Sequence, residues 1–206
     1  DIKCKENNLK PDLVVLNVSI RSLKYNGLCP KDDLENSNLE YLKKGIANLK
    51  AHINIVKKFS SNLIVVLNKF ETDKYEEIDF LREYCKNMNV NFEISDAYKY
   101  GSKGAISLAT SILNILDNKN KINFMYNNND SIEEKISSLA KNIYNADNVK
   151  YSTSSIDKIK IINKLGYNNL PICVAKTQYS ISDDPNKLGY PSNYEITVED
   201  LSLCTG

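Results

Sequence analysis

A chain of 206 residues, 42% hydrophobic and 26% charged, holds enough apolar material for one generous domain with an appendage and excludes wholesale disorder. Its formal net charge of +1, from 27 Lys+Arg against 26 Asp+Glu, argues against a dedicated nucleic-acid binder, which carries a strong basic excess. Five scattered cysteines with no C-x-x-C, beside the single histidine His52, make a poor zinc set and an odd disulfide count, so a reducing compartment, the cytoplasm, is expected.

No apolar run approaches the ~20 residues that span a bilayer, and no charged-then-apolar leader opens the chain. The opening stretch DIKCKENNLKPD lacks a Met and reads as the middle of something longer. LVVLNV (13–18) has the length of a buried strand, and SIRSLKYNGLCPKDD follows as a loop. Leu39, Leu42, Ile46, Leu49, Ile53 and Val56 then mark one helical face. LIVVLN (63–68) is a second strand; Ile78, Leu81, Cys85 and Met88 repeat the helical spacing. VNFEI (90–94) is a third strand and GAISLATSILNIL (104–116) a third helix.

Alternating strands and helices predict an α/β domain with a parallel sheet and flanking helices over residues 1–120. Ligands of such sheets collect outside the carboxyl ends of the strands. The loops expected there bring Arg21, Lys24, Tyr25, Lys69, Phe70, Tyr98, Lys99, Tyr100 and Lys103 to one rim, mixed with glycines. Cations with flat rings suit a phosphate-bearing or heteroaromatic ligand.

Beyond Asp117 the composition changes, and NKNKINFMYNNND reads as an Asn-rich linker into a smaller α+β domain over 121–206. Asp130 and Ser131, followed by Glu133 and Glu134, signal a capped helix with Ile132, Ile136, Leu139 and Ile143 on one face. Ser155 is read as the cap of another helix that carries Ile156, Ile159, Ile162 and Leu165 and ends at Gly166. Short strands are expected at 172–175 and 194–198.

The motif NKFETD (68–73) admits two readings. It is close to the N-K-x-D corner that reads guanine, with Glu71 in place of the aspartate. A GTPase also needs a G-x-x-x-x-G-K-[ST] phosphate loop, and the chain has none. Alternatively Phe70 and Tyr98, on adjacent loops, clamp a planar ring. The bland counterparts are a staple on the following helix and a surface tyrosine. In AKTQYSISDDP (175–185), Lys176, Gln178, Tyr179, Asp183 and Asp184 crowd together, and the paired carboxylates read as a turn before a magnesium site.

Taken in order, DIKC, LKPDLVVLNVSIRSLKYNGLCPKDDL, VVLNKFETD, DAYKYGSKG and LPICVAKTQYSISDDP resemble the formate–tetrahydrofolate ligase family, and the resemblance runs from Asp1 to Gly206. It implies a P-loop-like NTPase fold and an ATP- and Mg²⁺-dependent reaction. Formate attacks the γ-phosphate, and the resulting formyl phosphate passes its formyl group to N10 of tetrahydrofolate. The resemblance makes Phe70 and Tyr98 the two walls of the pterin pocket. Asn68, Lys69, Asp73, Gly101 and Gly104 are the neighbouring substrate-binding positions in the same motifs. No catalytic residue or metal ligand is assigned, because the phosphate-binding loop is expected upstream of Asp1 and a final segment beyond Gly206.

Three departures from the family pattern bear on this. Its usual tryptophan is Tyr98, KMHGG has become KYNGL, and two arginines near the end are Glu199 and Ser202. They keep a second reading open, a catalytically silent folate- or nucleotide-binding module. Small-molecule substrates are the expected partners, with neither nucleic acid nor membrane; the family's habit leaves a homo-oligomer of the full-length form open.

Overall fold

The computed structural model describes residues 2–178 and 180–204. In chain order its helices are α1 (Ile2–Glu6), α2 (Ile20–Asn26), α3 (Leu39–Phe59), α4 (Tyr75–Asn87), α5 (Ala97–Tyr100), α6 (Ile106–Leu116), α7 (Ile132–Asn142) and α8 (Thr153–Lys164). Its strands are β1 (Val14–Val18), β2 (Leu63–Asn68), β3 (Asn91–Ser95), β4 (Asn148–Tyr151) and β5 (Glu195–Val198). The chain divides into two compact units, Lys10–Asn123 and Asp1–Leu9 with Phe124–Gly206.

In the first unit the sheet order is β1-β2-β3 and both pairings are parallel, with Val15 opposite Ile64 and Val65 opposite Phe92. This is the expected α/β architecture. Strand β2 is central, and its five apolar residues Leu63, Ile64, Val65, Val66 and Leu67 are all buried. A parallel strand covered on both faces reads as a continuous apolar run and not as an alternation, which is why LIVVLN was legible. Leu42, Leu49 and Ile53 of α3 and Ile78, Leu81 and Cys85 of α4 close the core around it.

The stretch predicted as the first loop contains helix α2. Ser19 caps it by accepting from the Ser22 N–H at 3.2 Å, and Ile20 and Leu23 are buried. Helices α2 and α3 cross on glycine. A Cβ on Gly45 would lie 1.8 Å from the Leu23 carbonyl oxygen, and one on Gly27 would lie 1.9 Å from that of Tyr41.

The Asn-rich segment also differs from its reading as a compositional linker. The Asn120 Oδ1 accepts from Ser60 Oγ, Ser61 Oγ and the Asn62 N–H at 2.9–3.0 Å, while its Nδ2 donates to the Pro11 carbonyl at 2.7 Å. Asn62 Nδ2 in turn donates to the carbonyls of Asp12 and Asn118. The Asn120 amide thus pairs the Asn62 N–H at the amino end of β2, and the two amides tie this segment to the residues before β1.

In the second unit β4 and β5 pair in parallel, with Val149 opposite Ile196. The α7 capping box is as expected: Ser131 Oγ accepts from the Glu134 N–H, and the Glu134 carboxylate accepts from the Ser131 N–H at 2.8 Å. Helix α8 is capped by Ser152, not by Ser155. The Ser152 Oγ accepts from the Ser155 N–H, while Ser155 lies one turn inside and donates its own hydroxyl to the Ser152 carbonyl. Gly166 ends this helix at φ +78°, as expected for a residue just past a helix end. Residues 172–175 form no strand, and β4 was missed because four residues with two polar side chains give no apolar run.

Candidate functional site

Because β1, β2 and β3 are parallel, the chain leaves all three at one edge of the sheet, after Val18, Asn68 and Ser95. Asn68 ends its strand exposed. The next residue, Lys69, continues the pairing by donating its N–H to the Ser95 carbonyl at 3.1 Å. Its Nζ reaches Asp96 Oδ2 at 2.8 Å, and this hydrogen bond raises the Lys69 pKa above its ordinary value.

Residues 70–73 form a closed turn. The Asp73 carboxylate accepts from the Phe70 N–H at 2.9 Å, and the Asp73 N–H donates to the Phe70 carbonyl at 3.1 Å. Burial raises the Asp73 pKa, and the hydrogen bond from Phe70 only partly opposes it. The turn holds the Phe70 ring 36% exposed at the end of the central strand.

Helix α4 starts immediately after this turn. Its Glu77 is fully buried and meets Lys24 of α2 at 3.1 Å. Glu77 Oε1 also accepts from the Asn38 N–H at 3.0 Å, while Lys24 Nζ donates to the Asn36 carbonyl at 2.9 Å. Lys24, expected on the ligand-facing rim, is therefore internal. It fixes the first loop to the second instead of facing a ligand. Glu77 was not singled out in the sequence, and Lys74, three residues before it at the helix cap, is not a side chain that announces a helix start.

The third loop is built on Gly104. A Cβ there would lie 2.3 Å from the Asp96 carbonyl oxygen, and the Gly104 carbonyl accepts from the Asp96 N–H at 3.0 Å. Gly101 adopts φ +58° in open space. Between them and Asp96, Tyr98 stands 98% exposed. Lys99 reaches back to Glu71 at 2.9 Å and joins this loop to the Phe70 turn; the hydrogen bond raises the Lys99 pKa.

The rim is thus an exposed aromatic pair on two tied loops, with most of its cations already matched. Lys69 pairs with Asp96, Lys99 with Glu71, and Arg21 with Glu35 at 2.9 Å. Such a surface favours a flat ring over a bare anion. Glu71, the residue that a guanine-reading corner would use, is held by Lys99. His52 is exposed on α3.

In the second unit Asp184 forms a turn, its Oδ1 accepting from the Asn186 N–H at 2.9 Å, and Asp183 Oδ2 accepts from the Thr197 N–H at 3.3 Å. Tyr179 lies outside the described residues. Among those described, no group of three His, Cys, Asp or Glu is placed to hold a metal ion, and no helix is long and apolar enough to cross a membrane.

The two exposed aromatics thus lie at the carboxyl edge of a parallel α/β sheet, the edge at which such sheets bind their ligands. Comparison with known proteins is more specific. The sequence profile described as formate–tetrahydrofolate ligase matches residues 1–206. The chain is 44% identical to the formate–tetrahydrofolate ligase of Petrotoga mobilis over 198 residues, 96% of this chain and 36% of that protein. It is 43% identical to that of Campylobacter concisus over 207 aligned positions, 100% of this chain and 38% of that protein. The chain belongs to the formate–tetrahydrofolate ligase family, and it spans a little over a third of the length of these relatives.

Proposed function

We propose that this chain supplies the folate wall of an ATP-dependent formate–tetrahydrofolate ligase, in which a P-loop-like NTPase sheet carries the reaction through formyl phosphate to 10-formyltetrahydrofolate. The observation that carries the reading is the Phe70 turn. An aromatic ring is held by a closed four-residue turn at the end of the central strand, with Tyr98 exposed on the neighbouring loop. The pterin stacks on Phe70 and is flanked by Tyr98. Asn68, Lys69, Asp73, Gly101 and Gly104 shape the two loops and make no chemical step of their own.

Formyl transfer from a mixed anhydride needs charge stabilisation at the phosphoryl group. The paired cations of this rim are not free to supply it. The described residues also do not fit a Mg²⁺ site, so no step is assigned to Mg²⁺ within this chain. ATP and formate belong to the family reaction. The five free thiols suit a reducing compartment, the cytoplasm.

A second reading, a silent folate- or nucleotide-binding module, is favoured by Tyr98, Glu199 and Ser202, which stand where the family carries tryptophan and two arginines.

Calorimetric titration with tetrahydrofolate, MgATP and MgGTP tests the binding role. Tetrahydrofolate is expected to bind, and Phe70→Ala to weaken it by ~1–3 kcal/mol, the scale for removing a stacking partner. Unchanged affinity in Phe70→Ala would remove the shelf. Formation of 10-formyltetrahydrofolate from formate and ATP separates the ligase from the silent module.

A further inference from the structure

The rear face of Phe70 is already occupied. The guanidinium carbon of Arg21 lies 4.4 Å from the ring centroid. Two neighbours hold it there. Arg21 Nη2 pairs with Glu35 at 2.9 Å and donates to Thr72 Oγ1 at 3.3 Å. Thr72 belongs to the same turn as Phe70, Arg21 to α2, and Glu35 to the segment after the 3-10 turn Lys31–Asp33.

Arg21 Nε is buried and has no hydrogen-bond partner. The contact with the ring and the two Nη2 bonds together fix the guanidinium over Phe70.

We propose that Arg21 is the positioning residue of the folate shelf: it clamps the rear face of Phe70, so that the ring has one orientation and one face open to a planar ligand. The inference rests on reading Phe70 as the pterin platform. Its physical content is preorganisation. A ring fixed before binding loses no rotamer freedom when the ligand arrives. Arg21 touches no ligand and acts through Phe70. Lysine cannot replace it, because a compact ammonium offers no plane to stack on the ring.

The test is a double-mutant cycle between Arg21→Met and Phe70→Ala in the protein as the cell makes it, read by tetrahydrofolate affinity with MgATP affinity as control. Arg21→Met is expected to weaken tetrahydrofolate about three- to tenfold, the range of a partly exposed cation–π contact, and to leave MgATP unchanged. Arg21→Lys should recover only part of the loss. In the Phe70→Ala background Arg21→Met should add nothing.

Wild-type affinity in Arg21→Met overturns the proposal and leaves the shelf standing. An equal loss in both backgrounds also overturns it, because Arg21 would then act independently of the ring. An unaffected Phe70→Ala removes the shelf itself, and the clamp with it. Where Arg21→Met loses its circular dichroism spectrum, Glu35→Ala decides. It removes Arg21's anchor at Glu35, whose own side chain is 60% exposed, so the fold is little disturbed. A smaller loss of tetrahydrofolate affinity, absent in the Phe70→Ala background, supports the clamp; unchanged affinity overturns it.

Discussion

Lys24 and Glu77 form an ion pair 3.1 Å long with side chains 2% and 0% exposed, and it joins the loop after β1 to the helix after β2. The carboxylate also accepts from the Asn38 N–H, and the ammonium donates to the Asn36 carbonyl, so both charges are matched beyond each other. Removing one partner from such a pair leaves a buried charge without compensation. Lys24→Met and Glu77→Gln are each expected to lower stability by ~3–5 kcal/mol. Lys24→Met combined with Glu77→Gln should cost less than the sum. Urea unfolding of the four proteins measures it; additive losses would show that the two residues do not act as a pair.

The crossing of α2 and α3 on Gly27 and Gly45 gives a second expectation. A Cβ at Gly45 would meet a backbone carbonyl, which cannot rotate away as a side chain does. The two helices must separate, and Leu23 and Leu42 lose packing around β2. Gly45→Ala is expected to destabilise by ~1–3 kcal/mol although alanine is the better helix former. A thermal midpoint at or above that of the wild type would show that the crossing relaxes freely.

The residues that the sequence made legible are those whose burial is continuous or periodic. LIVVLN is apolar because β2 is covered on both faces, and Leu42, Leu49 and Ile53 recur at helical spacing because α3 lies on the sheet. Phe70 and Tyr98 were legible as a pair because parallel topology sends successive loops to one edge. The short elements were not. Helix α2 has seven residues and β4 four, too few to establish a period. Run lengths alone do not say which serine of Ser152, Ser154 and Ser155 caps α8. Nor does composition reveal that Lys24 turns inward while Arg21, three residues earlier, lies over Phe70. That depends on Glu77, Glu35 and Thr72, which come from segments distant in the chain. Charge partners across loops are three-dimensional facts, and most cations of the rim proved to be paired.

Asp73 provides a pH-dependent expectation. Its folded pKa is raised above the ordinary 3.8, chiefly by burial. The native state therefore holds the proton more tightly than the unfolded chain, and stability falls as pH rises from about 3.8 through the folded value. Asp73→Asn keeps an oxygen to accept from the Phe70 N–H and removes the titration. The stability of Asp73→Asn relative to the wild type should rise with pH over that window and then level off. Urea midpoints at a series of pH values measure the difference. A difference that shrinks as pH rises would mean that the bond from Phe70 outweighs burial.

Tyr98 stands where the family resemblance implies a tryptophan, and it is 98% exposed. An indole at this position meets no packing constraint on its own loop, which is held by the Asp96–Gly104 hydrogen bond and by the Lys99–Glu71 pair. Added aromatic area acts only on a ligand lying between this residue and Phe70. Tyr98→Trp is expected to tighten tetrahydrofolate binding about two- to tenfold with the thermal midpoint unchanged. The same substitution in Phe70→Ala should gain less, because the pterin then has only one wall. Tightening of equal size in both backgrounds would mean that Tyr98 binds the ligand without a sandwich, and no tightening in either would place the pterin away from this loop.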